Sequence, residues 1–94
     1  MTLKQMFQKL ENYNEVAEMM GAQKARICFS DNTHCVSMFE RFSSYSDLKK
    51  YINREYFKNI ADQILKSSDW EFDADWRCEG ISGIMTFNAE LTAN

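Results

Sequence analysis

Residues 44–69, SYSDLKKYINREYFKNIADQILKSSD, decide how this chain folds: they form its longest helical pattern, and strand-like segments lie on both sides of them. Ser44 or Ser46 supplies the N-cap. Either hydroxyl can accept from an orphan backbone N–H, and Asp47 favours the positive end of the helix dipole. Lys66 suits the other end, and Ser67-Ser68-Asp69 breaks the pattern. At about 100° per residue the apolar side chains fall into two groups. Leu48, Tyr51 and Ile52 share one side, whereas Phe57, Ile60, Ala61 and Ile64 share nearly the opposite side, with Tyr56 between. Either one helix is buried on more than one face, for instance against a second copy of the chain, or two shorter helices meet near Asn53-Arg54-Glu55. No Gly or Pro marks a break, so the expectation is one helix with a wide apolar surface.

Upstream, Thr2-Leu3-Lys4-Gln5 matches a capping box, with Thr2 as cap and Gln5 at the third helical position. Leu3, Met6, Phe7, Leu10, Tyr13, Ala17 and Met20 follow at helical spacing, and Gly21 is placed to end the helix. Val16 and Met19 fall off this stripe, as contacts for a partner or as ordinary exposed residues. Ala25, Ile27 and Phe29 alternate with Arg26, Cys28 and Ser30, which predicts a strand over Lys24–Ser30, and residues 35–42 return as a second. A two-residue turn at Asp31-Asn32 sets Ile27 against Val36 and Ala25 against Met38, and places Cys28 opposite Cys35 on the other face.

Downstream, Trp70, Phe72, Ala74, Trp76 and Cys78 alternate strictly with Glu71, Asp73, Asp75, Arg77 and Glu79. This is a strand with one face in the core and one in water. After the connection Glu79-Gly80-Ile81-Ser82-Gly83, Met85, Phe87, Ala89 and Leu91 alternate with polar residues as a fourth strand, and residues 92–94 are expected to fray. The order is α-β-β-α-β-β. The expected fold class is α+β: a two-layer domain over residues 1–94, with a four-stranded antiparallel sheet and two helices packed on one face. The succession of two helix-plus-hairpin units hints at an internal repeat, although the halves share no residue-level similarity.

With 94 residues, 45% hydrophobic and 14% aromatic, the chain has the composition of one globular domain rather than a disordered one. No apolar run approaches the roughly 18 residues that span a bilayer, which argues against a membrane protein. The N-terminal residues lack the apolar core and small-residue site of an export signal. The three cysteines follow no disulfide framework, so reduced thiols in a cytoplasmic protein are expected. A net charge of −3 argues mildly against a non-specific nucleic-acid binder.

The sharpest surface feature is the acidic row Asp69, Glu71, Asp73 and Asp75, with Glu79 beyond Arg77. At period two these carboxylates point one way, about 6.6 Å apart, a pitch comparable to nucleic-acid phosphates. The row suits a mimic of nucleic acid, of the kind small phage and mobile-element proteins use to block a DNA- or RNA-handling protein. The plainer explanation is a solvated strand face that prevents edge pairing. Lys50, Arg54 and Lys58 form a second row at i, i+4 and i+8, for phosphate contact or for pairing with Asp47, Glu55 and Asp62. Cys28, His34, Cys35 and Cys78 have no zinc spacing, and adjacent His34 and Cys35 point to opposite faces of a strand, so no metal site or cofactor is expected. A redox response of Cys28 with Cys35 requires that they face each other. Glu71 with Asp75, or Asp73 with Glu79, lacks the cleft that acid–base work needs, and no phosphate loop or nucleophile elbow is present. Trp70, Phe72 and Trp76 share the core face and read as core. The expectation is a small non-enzymatic interaction or regulatory protein with a protein partner, self-associating as a homodimer.

Overall fold

The computed structural model describes every residue except Asn32, His34 and Ser82, and at Glu79 the backbone alone. Its elements are α1 (Leu3–Glu11), α2 (Asn14–Met19), β1 (Lys24–Ser30), β2 (Val36–Phe42), α3 (Tyr45–Ile52), α4 (Glu55–Lys66), β3 (Trp70–Glu79) and β4 (Ile84–Ala93). The class is α+β, and one hydrophobic core draws side chains from all eight.

The capping box forms. Gln5 N donates to Thr2 Oγ1 at 3.1 Å, and Thr2 N to Gln5 Oε1 at 2.8 Å. The first helical stripe does not run unbroken to Gly21. It kinks at Asn12 and Tyr13 and resumes as α2. Met6, Leu10 and Ala17 are buried, the Tyr13 ring lies between those of Phe72 and Phe87, and Met20 ends up exposed. Gly21 adopts φ +62°, the left-handed conformation that suits glycine after a helix.

The expected continuous central helix is two helices. Asn53 caps α3, with its side-chain Nδ2 donating to Lys49 O at 2.8 Å, and Arg54 is extended at φ −76° and ψ 143° before α4 starts. The two apolar stripes explain the break. On a straight helix they point nearly opposite ways, and a bend turns both into one core. Leu48 and Ile52 of α3 and Phe57, Ala61 and Leu65 of α4 are all buried in it. An asparagine closes the helix without Gly or Pro. Of the two possible caps, Ser44 takes the role, its Oγ accepting from Asp47 N at 3.1 Å.

The four strands lie in the order β2-β1-β4-β3. Each hairpin is antiparallel, but β1 and β4 pair in parallel, so the sheet is mixed rather than antiparallel throughout. The physical reason is burial. The central places go to the strands with the most buried apolar side chains: Ala25, Ile27 and Phe29 of β1, and Phe87, Ala89, Leu91 and Ala93 of β4. β2 and β3 take the edges, and α3 with α4 carries the chain from one edge to the other. This arrangement also argues against a simple repeat. The first hairpin buries its first strand in the centre, the second its second, and no two-fold axis normal to a sheet relates two parallel neighbours.

The β1–β2 register differs from the two-residue-turn expectation. Ala25 pairs with Phe42, Ile27 with Glu40 and Phe29 with Met38, with a bulge before Ser30 and Val36. A longer loop replaces the tight turn, organised by the Asp31 carboxylate, which accepts from the N–H groups of Thr33 and Cys35 at 2.9 Å each. Asn32, half of the expected turn, lies outside the described residues. Cys28 consequently sits opposite Phe39, not Cys35.

Trp70, Phe72, Ala74 and Trp76 face the core as the alternation requires, but Cys78, expected on the same face, is exposed near the end of the strand, beyond the reach of the core. Trp70 Nε1 donates to Ile64 O at 2.9 Å, tying the start of β3 to the end of α4. The C-terminus does not fray: Ala93 pairs with Trp70, and Asn94 N donates to Asp69 O at 2.9 Å.

Candidate functional site

The helices cover one face of the sheet, and the other face is open. Its side chains are those that alternate with the core positions. Across the strands they form rows set by the register. One row runs Arg41, Arg26, Asn88, Asp75 from β2 to β3, and the next Phe39, Cys28, Glu90, Asp73. Lys24 and Arg77 flank Thr86 beyond the first row, and Glu71 lies beside Thr92 beyond the second.

Charge on this face is polarised across the strands. The β1–β2 half carries Lys24, Arg26 and Arg41. The β3–β4 half carries Glu71, Asp73, Asp75 and Glu90, offset by Arg77. Arg77 Nε holds Asp75 Oδ2 at 3.2 Å on the surface, an exposed pair of the kind that contributes about 0–1 kcal/mol. The guanidinium of Arg41 lies 5.1 Å from the centre of the Phe39 ring. Between the two halves, Thr86 and Asn88 are buried at 3% and 5% exposure under the longer side chains around them. Asn88 Nδ2 donates to Glu90 Oε1 at 3.2 Å. Burial, followed by the neighbouring Glu90 carboxylate, pushes the Cys28 thiol up from its ordinary value.

The acidic row thus lies on an edge strand. Asp69, Glu71 and Asp73 are exposed, Asp75 is half-buried, and the Glu79 side chain lies outside the described residues. Glu71 Oε1 accepts from Asn94 Nδ2 at 3.2 Å. Glu90, directly across from Asp73, joins the row. It was readable as a polar position of the fourth strand, but only the pairing brings it to these carboxylates. Arg26 and Arg41 were likewise legible only as alternating positions.

The break at Asn53 divides the basic row. Lys50 is on α3, Arg54 is the residue preceding α4, and Lys58 on α4 lies 5.9 Å from the centre of the Phe7 ring. Asp62 pairs with Lys66 at 2.8 Å. Cys35 and Cys78 are exposed, Cys28 is half-buried, and His34 lies outside the described residues. Among the described residues, no group of three or more His, Cys, Asp and Glu side chains is placed to hold a metal ion, and no helix is long and apolar enough to cross a membrane.

A groove of about 690 Å³ lies between the end of α2 and the start of α3, walled by Ala17, Ala22, Tyr45 and Lys50, with Lys49 held at 3.1 Å by Glu18. A smaller pocket of about 230 Å³ opens at the basic end of the sheet, lined by Lys24, Ala25, Arg26, Arg41, Phe42 and Thr86. Compared with known proteins, the chain matches no family model, no curated protein and no solved structure.

Proposed function

We propose that this chain is a non-enzymatic interaction protein that self-associates through the open face of its sheet. The observation that carries the reading is the polarisation of that face, with cations on β1 and β2 and carboxylates on β3 and β4. The helix break removes the motive for a dimer that the central segment offered, because Leu48, Ile52, Phe57 and Ala61 of its two apolar stripes are buried in the chain's own core, while Val16 and Met19 stay exposed on α2. The sheet supplies a different one.

For two such faces to pack, the two-fold axis lies between them and parallel to the sheet. An axis running along the strands sets β2 of one copy over β3 of the other, which brings Arg41 above Asp73 and Asp75. An axis across the strands would set β2 over β2 and face cation with cation. Charge therefore selects the first arrangement, an aligned sheet-on-sheet packing. Four strands at about 4.8 Å spacing and about eight residues at 3.3 Å make a face of roughly 500 Å² per copy. A standard interface takes about 800 Å² per partner, so the dimer is a weak one and its affinity falls with salt.

Sedimentation velocity at low and high ionic strength tests this. Wild type is expected to dimerise at low salt and dissociate at high salt. Arg41→Glu and Asp73→Arg are each expected to stay monomeric, and their equimolar mixture to associate, since both contacts of the heterodimer are then attractive. A wild type that stays monomeric at every salt and concentration sinks the reading.

The edge position of β3 favours one alternative, that the acidic row mimics nucleic acid toward a cationic groove on another protein. That reading predicts a monomer whose binding to a nucleic-acid-handling partner is lost with Asp73→Asn and Asp75→Asn together.

A further inference from the structure

The helix side of the molecule carries a groove that self-association through the open sheet face leaves unused. We infer that the groove between the end of α2 and the start of α3 binds a small carboxylate with an elongated apolar body, of the alkyl-carboxylate class. Shape points to the body of this ligand. The volume of about 690 Å³ falls within the roughly 300–1,000 Å³ of sites that enclose small molecules. Along α3 the lining runs Ser46, Lys49, Lys50 and Asn53, one face at helical spacing, and from Ser46 to Asn53 it extends about 10 Å. That length favours an elongated ligand over a compact one. Beneath it lie the buried side chains of Ala17 and Tyr45, with half-buried Ala22 beside them. The Tyr45 hydroxyl is spent on Asn14 Oδ1, so this floor makes no polar demand of its own.

Charge selects the head group. Two lysines and one glutamate line the groove, which leaves it a single positive charge. The glutamate is already engaged: Glu18 Oε1 accepts from Lys49 Nζ at 3.1 Å, a bridge from α2 to α3, and the same Nζ lies 5.9 Å from the centre of the Tyr45 ring. Lys50 is exposed and, among the described residues, pairs with no carboxylate. An alkylammonium would be repelled by this lysine, a neutral alcohol would leave its charge unanswered, and a carboxylate attracts it. The bridge supplies a second cation at little cost. An exposed ion pair of this kind holds weakly, so a ligand carboxylate can exchange with Glu18 for Lys49. The apolar body then lies over Ala17, Ala22 and Tyr45, and its removal from water supplies the rest of the affinity. The inference goes beyond self-association through the sheet and does not require it.

The test is a titration of the full chain with decanoate below its micellar concentration, followed by two-dimensional amide NMR near neutral pH. Decanol, decylammonium and acetate are the comparison ligands: the first lacks the charge, the second reverses it, and the third lacks the apolar body. Decanoate is expected to give saturable shifts clustered at residues 17–22 and 44–53, and to bind about tenfold more tightly than each of the other three. Lys50→Glu, at an exposed position, should weaken decanoate binding about tenfold, and Lys50→Arg should retain it. Glu18→Gln should strengthen it several-fold by releasing Lys49. Arg41→Glu, which removes the proposed dimer, should bind decanoate as the wild type does, so that failure of self-association and failure of the groove are read separately. Decanoate shifts no larger than those with acetate overturn the inference, as do shifts spread across the sheet. Tighter binding of decanol or decylammonium overturns the assignment to a carboxylate, and so does an affinity that neither Lys50→Glu nor Glu18→Gln changes.

Discussion

Replacing Tyr45 with phenylalanine should alter how the stability of this protein depends on pH, by an amount that follows from the packing. Tyr45 is 4% exposed at the start of α3, its ring meets Phe87 edge-on with centroids 5.1 Å apart, and its hydroxyl donates to Asn14 Oδ1 on α2. At neutral pH the substitution removes one hydrogen bond, at a cost of about 1 kcal/mol. At high pH a second effect opposes the first. Burial, with the Glu18 carboxylate adding to it, pushes the folded-state pKa up to about 12, whereas a tyrosine in the unfolded chain titrates near 10. The unfolded state therefore loses its proton first. Stability from this group is fully present below about pH 10 and is lost as the pH rises through about 12. At pH 11 the wild type has lost about 1.4 kcal/mol relative to pH 8, and the variant has no such group to lose. The assay is urea unfolding of both proteins at pH 8 and pH 11. Contributions from lysines, cysteines and the remaining tyrosines are common to both and cancel in the difference. Wild type should lead by about 1 kcal/mol at pH 8, and the gap should close by pH 11. A gap that stays constant across this range refutes the burial of the hydroxyl.

Three further outcomes are expected. Phe57→Ala empties a site with no exposed surface between the Phe7 and Tyr51 rings; it should cost about 3–5 kcal/mol in urea unfolding, and a loss under about 1 kcal/mol would contradict its place in the core. Ser44→Ala should cost about 1 kcal/mol of thermal or urea stability and Ser46→Ala less than about 0.5 kcal/mol, because only Ser44 caps α3; equal losses would refute the assignment. In stopped-flow labelling at pH 8, exposed Cys35 and Cys78 should react before half-buried Cys28, whose raised pKa leaves less thiolate. Glu90→Gln should speed the slow phase, and one uniform rate would contradict the environment given to Cys28.

Much of the fold was readable along the chain. The capping box at Thr2, the alternation from Trp70 to Cys78 and the alternating fourth strand each depend on neighbours within a few residues, and each formed. The two opposed stripes of residues 44–69 were visible as well, but their meaning was not. A straight helix with two buried faces and a bent pair with one core carry the same periodicity, and only the presence of a single core on one side decides between them. The β1–β2 register failed for a related reason. Apolar pairing favoured Ala25 with Met38, yet the Asp31 carboxylate ordered a longer loop and moved the partner to Phe42.

The candidate surface was legible only in halves. The carboxylates Glu71, Asp73 and Asp75 were evident as a row because one strand places them two residues apart. Lys24, Arg26 and Arg41 carried no signal, since they are separated by a hairpin and look like ordinary solvent-facing positions. The sequence by itself determined the helices, the strands and which face of each strand is apolar, because those follow from periodicity, capping and turn chemistry within a few residues. The tertiary structure alone decided that β1 and β4 pair in parallel at the centre of the sheet, because burial of the two most apolar strands is a competition among all four. That one pairing puts the basic hairpin beside the acidic one, sets Lys24 across from Thr86 and Arg26 across from Asn88, and so polarises the open face.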